Sequence, residues 1–312
     1  MIALIAHGWN ASGYEDTTTI KGRKMSMELT LKGLLRTLSP LCRMHLYFIV
    51  GIDDERRIRQ FLAPATAPHE SAVTYSFLQL DEPQLAAWLR EIGHAPSHRT
   101  GPAGNIKFFY PLIFPHEEQV LMLDSDVLIG RDVCQLWAEF RQFPRDALFG
   151  FVPQKPKVHP HADNEFNAGV GLLHLGRMRA AGWLDLARNA IRHWAAKGMH
   201  PPCCAHGDQS VFHMIRYMRP GTLRLLPRWW NINKCHKYQH IDRNPPGSFV
   251  GIVHLGCCKM CTRAKLWPRW VVLLNAIDAF SVRGDGLPLT ELPTQRCGEG
   301  RITLQSEECP VP

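Results

Sequence analysis

The beginning of the chain alternates between segments patterned as strands and segments patterned as helices. Apolar runs typical of strands occupy residues 2–6, 45–51 and 72–78, and between them residues 24–38 and 54–62 repeat apolar positions at helical spacing. Successive strands that are joined through a helix lie parallel, because a parallel pair needs a long crossover connection. The alternation therefore predicts an α/β fold around parallel strands with helical crossovers.

The same pattern continues, less regularly, through the rest of the chain. Helical patterns at residues 82–93 and 105–114 lead to an apolar strand at residues 120–123. The remaining predicted elements are strands at residues 146–152, 168–175 and 251–255, and helices at residues 183–198, 207–218 and 266–280. From about residue 283 onward Pro, Gly, Thr and Glu dominate, which predicts a loosely ordered tail.

Two carboxylates interrupt the apolar stretch "VLMLDSDVLI". Burying Asp124 and Asp126 without partners would cost roughly several kcal/mol, so the pair needs a cation or hydrogen bonds. Both side chains can approach one ion if the chain turns just past the end of the strand, and ligands of such sheets bind at the carboxyl ends of strands. Oxygen ligands suit Mg²⁺ or Mn²⁺, and an imidazole from His254 in the later strand "IVHLG" would favour Mn²⁺.

Two further polar segments have simple structural explanations when each is taken alone. In "FNAGVGLLHL", Asn167 and Gly169 are residues typical of a turn before an apolar run. In "HGDQSVF", Asp208 is typical of the acidic residue that stabilises the start of a helix. An isolated D-x-D is likewise more often a surface pair than a metal site, so the functional interpretation depends on these segments taken together.

Composition is ordinary for a folded protein of 312 residues, with 45% hydrophobic and 21% charged residues. The net charge of +8 comes from Lys and Arg that are scattered among apolar residues at helical spacing, so it indicates solvated helix faces and predicts no nucleic-acid partner. No apolar run reaches the roughly 20 residues of a membrane helix. Met1 leads directly into an apolar strand pattern, so neither a signal peptide nor an anchor is expected in this chain.

Ten cysteines are many for a cytosolic protein of this size, and seven of them lie from Cys203 onward. This distribution favours disulfides and an oxidising compartment, namely the lumen of the secretory pathway (Golgi or endoplasmic reticulum). The sequon at Asn10 fits that route. The segment "CCKMC" keeps a zinc site as the alternative, although a structural zinc usually shows two spaced ligand pairs and Cys203 and Cys204 are adjacent. The cysteines are Cys42, Cys134, Cys203, Cys204, Cys235, Cys257, Cys258, Cys261, Cys297 and Cys309.

The order of the motifs resembles that of the family-8 retaining glycosyltransferases, and is most similar to the glucoside and xyloside xylosyltransferases within them. The stretches that carry the resemblance are "KFFYPLIFP", "LMLDSDVLI", "FNAGVGLLHLGRMR", "GDQSVF", "LPRWWN" and "VHLG". The resemblance implies a single GT-A-type domain at residues 1–282. A Rossmann-like nucleotide-sugar-binding half with a central mixed sheet would occupy residues 1–130, and a donor-sugar and acceptor half residues 131–282.

The resemblance also implies a role for each matching residue. The metal ligands would be Asp124, Asp126 and His254. Residues in contact with the UDP-sugar would be Ala6, Lys107, Ser125, Asn167, Ala168, Gly169, Gly256 and Lys259. Gln209 and Asp208 would be the catalytic residues beside the donor sugar, and Trp230 and Asn231 would lie on the acceptor side.

The chain departs from the family pattern at three places. Ser210 replaces the last Asp of a D-Q-D motif, Lys259 stands in a cysteine-rich context, and the first strand ends in "AHGWN" without an acidic residue for uracil.

The resemblance predicts a Mn²⁺- or Mg²⁺-dependent transferase that moves a sugar, with xylose favoured, from a UDP-sugar to a glycan or glycoprotein acceptor. Two alternatives remain from the residues alone. One is a metal-dependent phosphotransferase or hydrolase with an acidic nucleophile, and the other is a cysteine-rich, zinc-stapled binding module without catalysis.

Overall fold

The structure is a computed structural model of the chain, and it describes residues 2–5, 27, 30–50, 55–79, 81–94, 101–153, 166–197, 208–233, 249–254 and 287–288. The strands among these residues are β1 (Ile2–Ile5), β2 (Met44–Val50), β3 (Val73–Gln79), β4 (Val120–Leu123), β5 (Val127–Ile129), β6 (Phe149–Pro153), β7 (Phe166–Leu173), β8 (Leu223–Leu225), β9 (Ile232–Asn233), β10 (Phe249–Val250), β11 (Ile252–His254) and β12 (Leu287–Pro288). The helices are α1 (residues 30–36), α2 (Glu55–Thr66), α3 (Glu82–Glu91), α4 (Tyr110–Ile113), α5 (Val133–Trp137), α6 (Leu175–Ala180), α7 (Trp183–Ala196) and α8 (Asp208–Met218). A 3₁₀ segment, Gly101–Phe109, leads into α4.

The central sheet has seven strands in the order β3-β2-β1-β4-β7-β6-β8. Strands β1 to β4 are parallel, as the alternation of strands and helices predicts. Strand β7 then runs antiparallel to both β4 and β6, and β8 is parallel to β6. The prediction of an α/β fold with a central mixed sheet is therefore confirmed.

Helices cover both faces of this sheet, which explains why its central strands read as continuous apolar runs. On one face, Leu121 and Leu123 of β4 share a buried cluster with residues of α1 and α2. On the other face, Val120 and Met122 share a second buried cluster with residues of α3, α7 and α8. Because alternate residues of a strand face opposite sides, β4 is buried on both sides and leads directly into the Asp124–Asp126 segment.

A second, three-stranded sheet begins with β5, just after β4 ends. Strand β5 pairs antiparallel with β11, and β11 pairs parallel with β9. Helix α1 packs closely on β5 at Gly33, which has no side chain. A Cβ added there would lie 2.7 Å from the carbonyl oxygen of Ile129. The chain therefore changes from one sheet to the other at the D-x-D turn.

Some element boundaries differ from those that the sequence predicts. Residues 105–114 form a 3₁₀ segment followed by one helical turn, where the pattern predicts one helix. Strand β7 ends at Leu173, and the side chain of His174 caps helix α6 by accepting from the backbone N–H of Arg177. The predicted helix at residues 266–280 lies outside the described residues. In the predicted tail, Leu287–Pro288 pairs antiparallel with Phe249–Val250.

Candidate metal centre

Three side chains that are far apart in the sequence converge where the two sheets meet. Asp124 and Asp126 lie in the turn between β4 and β5, and His254 lies at the end of β11, directly opposite Val127. The Nε2 atom of His254 is 3.4 Å from Oδ2 of Asp124 and 3.4 Å from Oδ1 of Asp126. The ligand atoms of all three residues lie within 4.8 Å of one another.

The electrostatics of this cluster fit a cation site. Burial alone would lower the pKa of His254, but hydrogen bonding and charge from Asp124 and Asp126 outweigh it and raise the pKa to about 9. Burial alone would raise the pKa of Asp124, but the charge of Lys107 and the hydrogen bond with His254 bring it below its usual value. Two carboxylates and one imidazole, largely shielded from water, make a donor set suited to Mg²⁺ or Mn²⁺.

Lys107 connects the D-x-D turn to helix α8. Its ammonium group forms an ion pair with Asp124, donates to the carbonyl oxygen of Ala168 at 3.0 Å and lies 3.8 Å from Oδ2 of Asp208. Burial would lower the pKa of Lys107, but the charges of Asp124 and Asp208 raise it above its usual range. The side chain is therefore a fixed positive charge beside the metal ligands, which agrees with the donor contact that the resemblance implies.

Asp208 and Gln209 both lie at the start of α8 and are both buried. Oδ1 of Asp208 accepts from the backbone N–H of Gln209 at 2.9 Å, whereas its buried Oδ2 has no hydrogen-bond partner in the described part of the chain. Burial raises the pKa of Asp208 to about 6, against the opposing charge of Lys107. Oε1 of Gln209 accepts from the backbone N–H of Ala168 at 3.1 Å. This hydrogen bond fixes which end of the amide faces β7.

The amide of Asn167 links His254 to Asn231 and to the backbone of β7. Its Oδ1 lies 3.1 Å from Nδ1 of His254 and accepts from Nδ2 of Asn231 and from the backbone N–H of Gly169, both at 2.8 Å. Asn231 is 2% exposed and its own Oδ1 is buried without a partner among the described residues. The structure thus brings together the predicted donor residues Asn167, Ala168 and Gly169 with the predicted metal ligands.

Two residues of this region were not identified from the sequence. The hydroxyl of Thr30 donates to the carbonyl oxygen of Val127 at 2.6 Å and is 3.1 Å from that of Ser125, so it holds the D-x-D turn. The hydroxyl of Tyr110 is buried without a hydrogen-bond partner in the described residues, and burial together with the charges of Asp208 and Asp124 raises its pKa well above the usual value. No local signal marks Thr30, whereas Tyr110 follows Lys107 by one helical turn in "KFFYPLIF".

For the remaining predicted site residues, the described part of the chain gives no side-chain hydrogen bond or ion pair with the cluster around Asp124. Ser125 is half-buried within the turn, and Ala6, Gly256 and Lys259 lie outside the described residues. Trp230 is 2% exposed and belongs to a core cluster, where its ring fills the space beside Gly251. Its predicted place at the acceptor stays a prediction without support from this burial.

One disulfide is present among the described residues, between Cys42 and Cys134. It joins the segment before β2 to helix α5 across a sequence separation of 92 residues. The other eight cysteines, with the zinc alternative built on "CCKMC", lie outside the described residues. No helix in the described part of the chain is both long and apolar enough to cross a bilayer.

Comparison with known proteins finds relatives among the xylosyl- and glucuronyltransferases. The human xylosyl- and glucuronyltransferase LARGE2 is 31% identical over 175 residues, which are 52% of this chain and 23% of that protein. The zebrafish (Danio rerio) xylosyl- and glucuronyltransferase LARGE1 is 25% identical over 257 residues, which are 76% of this chain and 31% of that protein. The chain therefore spans about a quarter to a third of the length of the curated relatives it matches. No protein-family model matches it.

Solved structures agree on the fold. The structure of mouse xyloside xylosyltransferase 1 superposes with a TM-score of 0.64 at 17% identity, covering 83% of this chain and 98% of that one. The galactosyltransferase LgtC, solved with donor and acceptor sugar analogues, superposes with a TM-score of 0.58 at 15% identity, covering 91% and 99%. The chain therefore has the GT-A glycosyltransferase fold and is related in sequence to the xylosyl- and glucuronyltransferases, as the order of its motifs predicts.

Proposed function

We propose that the protein is a metal-dependent retaining glycosyltransferase that moves a sugar from a UDP-sugar to a glycan acceptor. The observation that carries the proposal is the convergence of Asp124, Asp126 and His254 beside the buried Lys107, at the carboxyl end of β4. A GT-A fold supplies a nucleotide-sugar site at that edge of the sheet, and the sequence relatives are sugar transferases.

The metal ligands and Lys107 would share the task of stabilising the leaving group. Asp124, Asp126 and His254 would hold a divalent ion, Mn²⁺ in preference to Mg²⁺ because of the imidazole. When bound, the ion would supply positive charge against the diphosphate of the donor. Lys107 adds a fixed charge that is already oriented by Asp124, Ala168 and Asp208, so it needs little reorganisation during the reaction.

The chemistry of Gln209 favours attack of the acceptor on the same face as the departing UDP. A covalent intermediate would need a strong nucleophile beside the anomeric carbon. The side-chain oxygen of Gln209 belongs to a neutral amide, so it is a weak nucleophile. It also accepts a hydrogen bond from the backbone N–H of Ala168, which lowers its nucleophilicity further. Gln209 therefore acts as electrostatic support, while the buried Oδ2 of Asp208 is available for a hydroxyl of the sugar.

We propose xylose as the transferred sugar, because the solved structure with the highest TM-score named above is a xyloside xylosyltransferase and the sequence relatives are xylosyl- and glucuronyltransferases. Xylose lacks the hydroxymethyl group of glucose, so a pocket that is filled where this group would sit excludes glucose by a steric clash. Exclusion of this kind discriminates more strongly than the roughly 1–3 kcal/mol that one additional methylene contributes to binding.

The test is a screen of UDP-xylose, UDP-glucose, UDP-galactose and UDP-glucuronate for Mn²⁺-dependent hydrolysis without an acceptor. Turnover of at least one donor that disappears with EDTA and in the Asp126→Asn variant is expected, with UDP-xylose fastest. Faster turnover of another donor would refute the xylose assignment and leave the glycosyltransferase proposal standing. Release of UDP from none of the donors, by a folded protein that binds Mn²⁺, would contradict the glycosyltransferase proposal itself.

The cellular setting and the domain limits are part of the proposal. The Cys42–Cys134 disulfide supports an oxidising compartment, and we place the protein in the lumen of the secretory pathway, with a protein-linked glycan as a suitable acceptor. We assign residues 1–282 to the transferase domain, divided at residue 130, and residues 283–312 to a tail.

A further inference from the structure

The imidazole of His254 is held on the side away from the carboxylates by a single amide. Its Nε2 faces Asp124 and Asp126, and its Nδ1 lies 3.1 Å from Oδ1 of Asn167. His254 is 6% exposed and Asn167 is half-buried, so the contact is largely shielded from water. The orientation of the ring therefore depends on what Asn167 offers to Nδ1.

The backbone settles which atom of the Asn167 amide faces the ring. The N–H of Gly169 points at this atom from 2.8 Å and can only donate, so the atom is the carbonyl oxygen. An amide oxygen only accepts, so Nδ1 of His254 must carry a hydrogen. In the neutral imidazole the lone pair then lies on Nε2, which is the nitrogen that faces the two carboxylates.

Close packing provides a second constraint on the ring. A Cβ added to Gly169 would overlap Cε1 of His254 and would lie 2.6 Å from its Nδ1. The imidazole thus lies against the backbone of β7 at Gly169. Asn167, which lies on the same strand, is the hydrogen-bond partner of the imidazole. The third donor to Asn167, Nδ2 of Asn231 at 2.8 Å, comes from the end of the 3₁₀ turn before β9 and keeps the amide from rotating.

We propose that Asn167 is a positioning residue for the metal site, which holds His254 with Nε2 free to bind the ion, and that Asn231 braces it. This differs from the donor-sugar contact that the resemblance implies for Asn167. The inference rests on the proposed metal site, because it assigns the residue that orients one of its ligands. Partners of this kind typically change metal affinity by roughly 10- to 100-fold when they are removed.

The experiment measures binding of Mn²⁺ alone, from the electron paramagnetic resonance signal of free Mn²⁺, to the purified chain and its variants. Asn167→Ala removes the oxygen that accepts the hydrogen bond from His254. Asn167→Ser is a second loss variant, since the serine side chain is too short for its hydroxyl to reach the ring. Asn167→Asp keeps an oxygen that accepts from all three donors and is the conservative rescue. His254→Ala and the double variant Asn167→Ala/His254→Ala complete a cycle, and thermal unfolding verifies that each protein is folded.

The two loss variants should weaken Mn²⁺ binding by roughly 10- to 100-fold, and Asn167→Asp should restore it to within about threefold of the original chain. The double variant should bind no more weakly than His254→Ala, because Asn167 acts through His254. Saturating Mn²⁺ should restore turnover in Asn167→Ala, whereas loss of a sugar contact would leave a raised KM for the donor.

Three results would overturn the proposal: unchanged Mn²⁺ affinity in folded Asn167→Ala, failure of Asn167→Asp to restore binding, or additive losses in the cycle. These results would leave the proposed function intact. If the original chain itself binds no Mn²⁺, the metal site falls, and the role of Asn167 falls with it.

Discussion

The side-chain hydroxyl of Thr30 and the carbonyl oxygen of Val127 are 97 residues apart in sequence and 2.6 Å apart in space. Thr30 lies in α1, and its hydroxyl also lies 3.1 Å from the carbonyl oxygen of Ser125. It therefore contacts the turn that carries Asp124 and Asp126 at the carbonyl groups of the residues on either side of Asp126. The shape of the proposed metal site thus depends on Thr30, whose hydroxyl makes these contacts with backbone carbonyl oxygens of the turn and not with the proposed ligand atoms.

We expect Thr30→Val, which keeps the shape but lacks the hydroxyl, to lower the free energy of unfolding by about 1–3 kcal/mol and to weaken Mn²⁺ binding. The cost arises because the buried hydrogen bond to the carbonyl oxygen of Val127 is lost, together with the longer, partly buried contact to that of Ser125. Urea unfolding and Mn²⁺ titration provide the two measurements. Thr30→Ser keeps the hydroxyl and is the matched control. Equal Mn²⁺ affinity in both variants would show that the hydroxyl does not shape the turn.

Replacement of either aspartate of the turn should abolish most of the turnover while the fold survives. Asp124→Asn or Asp126→Asn removes a charged ligand and keeps the shape, and losing charge stabilisation of one leaving group lowers the rate by roughly two to four orders of magnitude. Steady-state kinetics with the best UDP-sugar and a thermal unfolding scan measure the two effects. The same chemical change at the exposed Asp146 should leave both unaltered. Near-full turnover in either site variant at saturating Mn²⁺ would show the ligand assignment to be wrong.

Metal binding should become tighter as the pH rises. In the metal-free chain the pKa of His254 is about 9, so the imidazole is protonated at neutral pH and must lose a proton to bind an ion. The Mn²⁺ affinity should therefore increase by roughly tenfold for each pH unit between pH 6.5 and 8.5. Titrations at several pH values measure the slope, and His254→Gln should flatten it. A slope near zero in the original chain would remove His254 from the ligand set.

The same pKa has a consequence for the stability of the metal-free fold. A histidine whose pKa is raised by folding stabilises the fold below its unfolded pKa of 6.5, and the contribution is lost as the pH rises through about 9. The difference in free energy of unfolding between the metal-free chain and His254→Gln should therefore shrink across this range.

The disulfide between Cys42 and Cys134 should contribute roughly 2–5 kcal/mol to stability, because it closes a long loop in the unfolded chain. We expect the Cys42→Ser/Cys134→Ser variant to unfold at correspondingly lower urea concentration under oxidising conditions. Under a reducing agent the difference from the original chain should nearly disappear. Thiol counting on protein from a eukaryotic secretory host should also find most of the ten cysteines paired; eight or more free thiols would contradict a lumenal location.

Local sequence patterns were sufficient for most strands and helices of the parallel part of the central sheet. The observed first and last residues of β2, β3 and α3 lie within a few residues of the predicted ones. These segments combine strong periodicity with clear turn residues. The D-x-D turn was also predictable, since two carboxylates at the end of an apolar strand need an explanation.

Long-range pairing was not predictable in the same way. Nothing in "VLI" indicates that Val127–Ile129 leaves the main sheet to pair with Ile252–His254, because strand pairing is decided by tertiary context. For the same reason the sequence could not show that the oxygen of Asn167 faces His254. The acceptor role of Trp230 rests on the resemblance alone and stays a prediction, because its ring is buried in a core cluster.

The passage of the chain from one sheet to the other at Asp124–Asp126 has a consequence for the order of folding. Two ligands precede β5, and the third arrives only when β11 has docked against it. Contacts between such distant segments form late, because a long loop must be closed first. The ability to bind metal should therefore appear only with the final long-range pairing. Mn²⁺ binding during refolding would report completion of the fold, and nascent chains that end before β11 would not retain the ion.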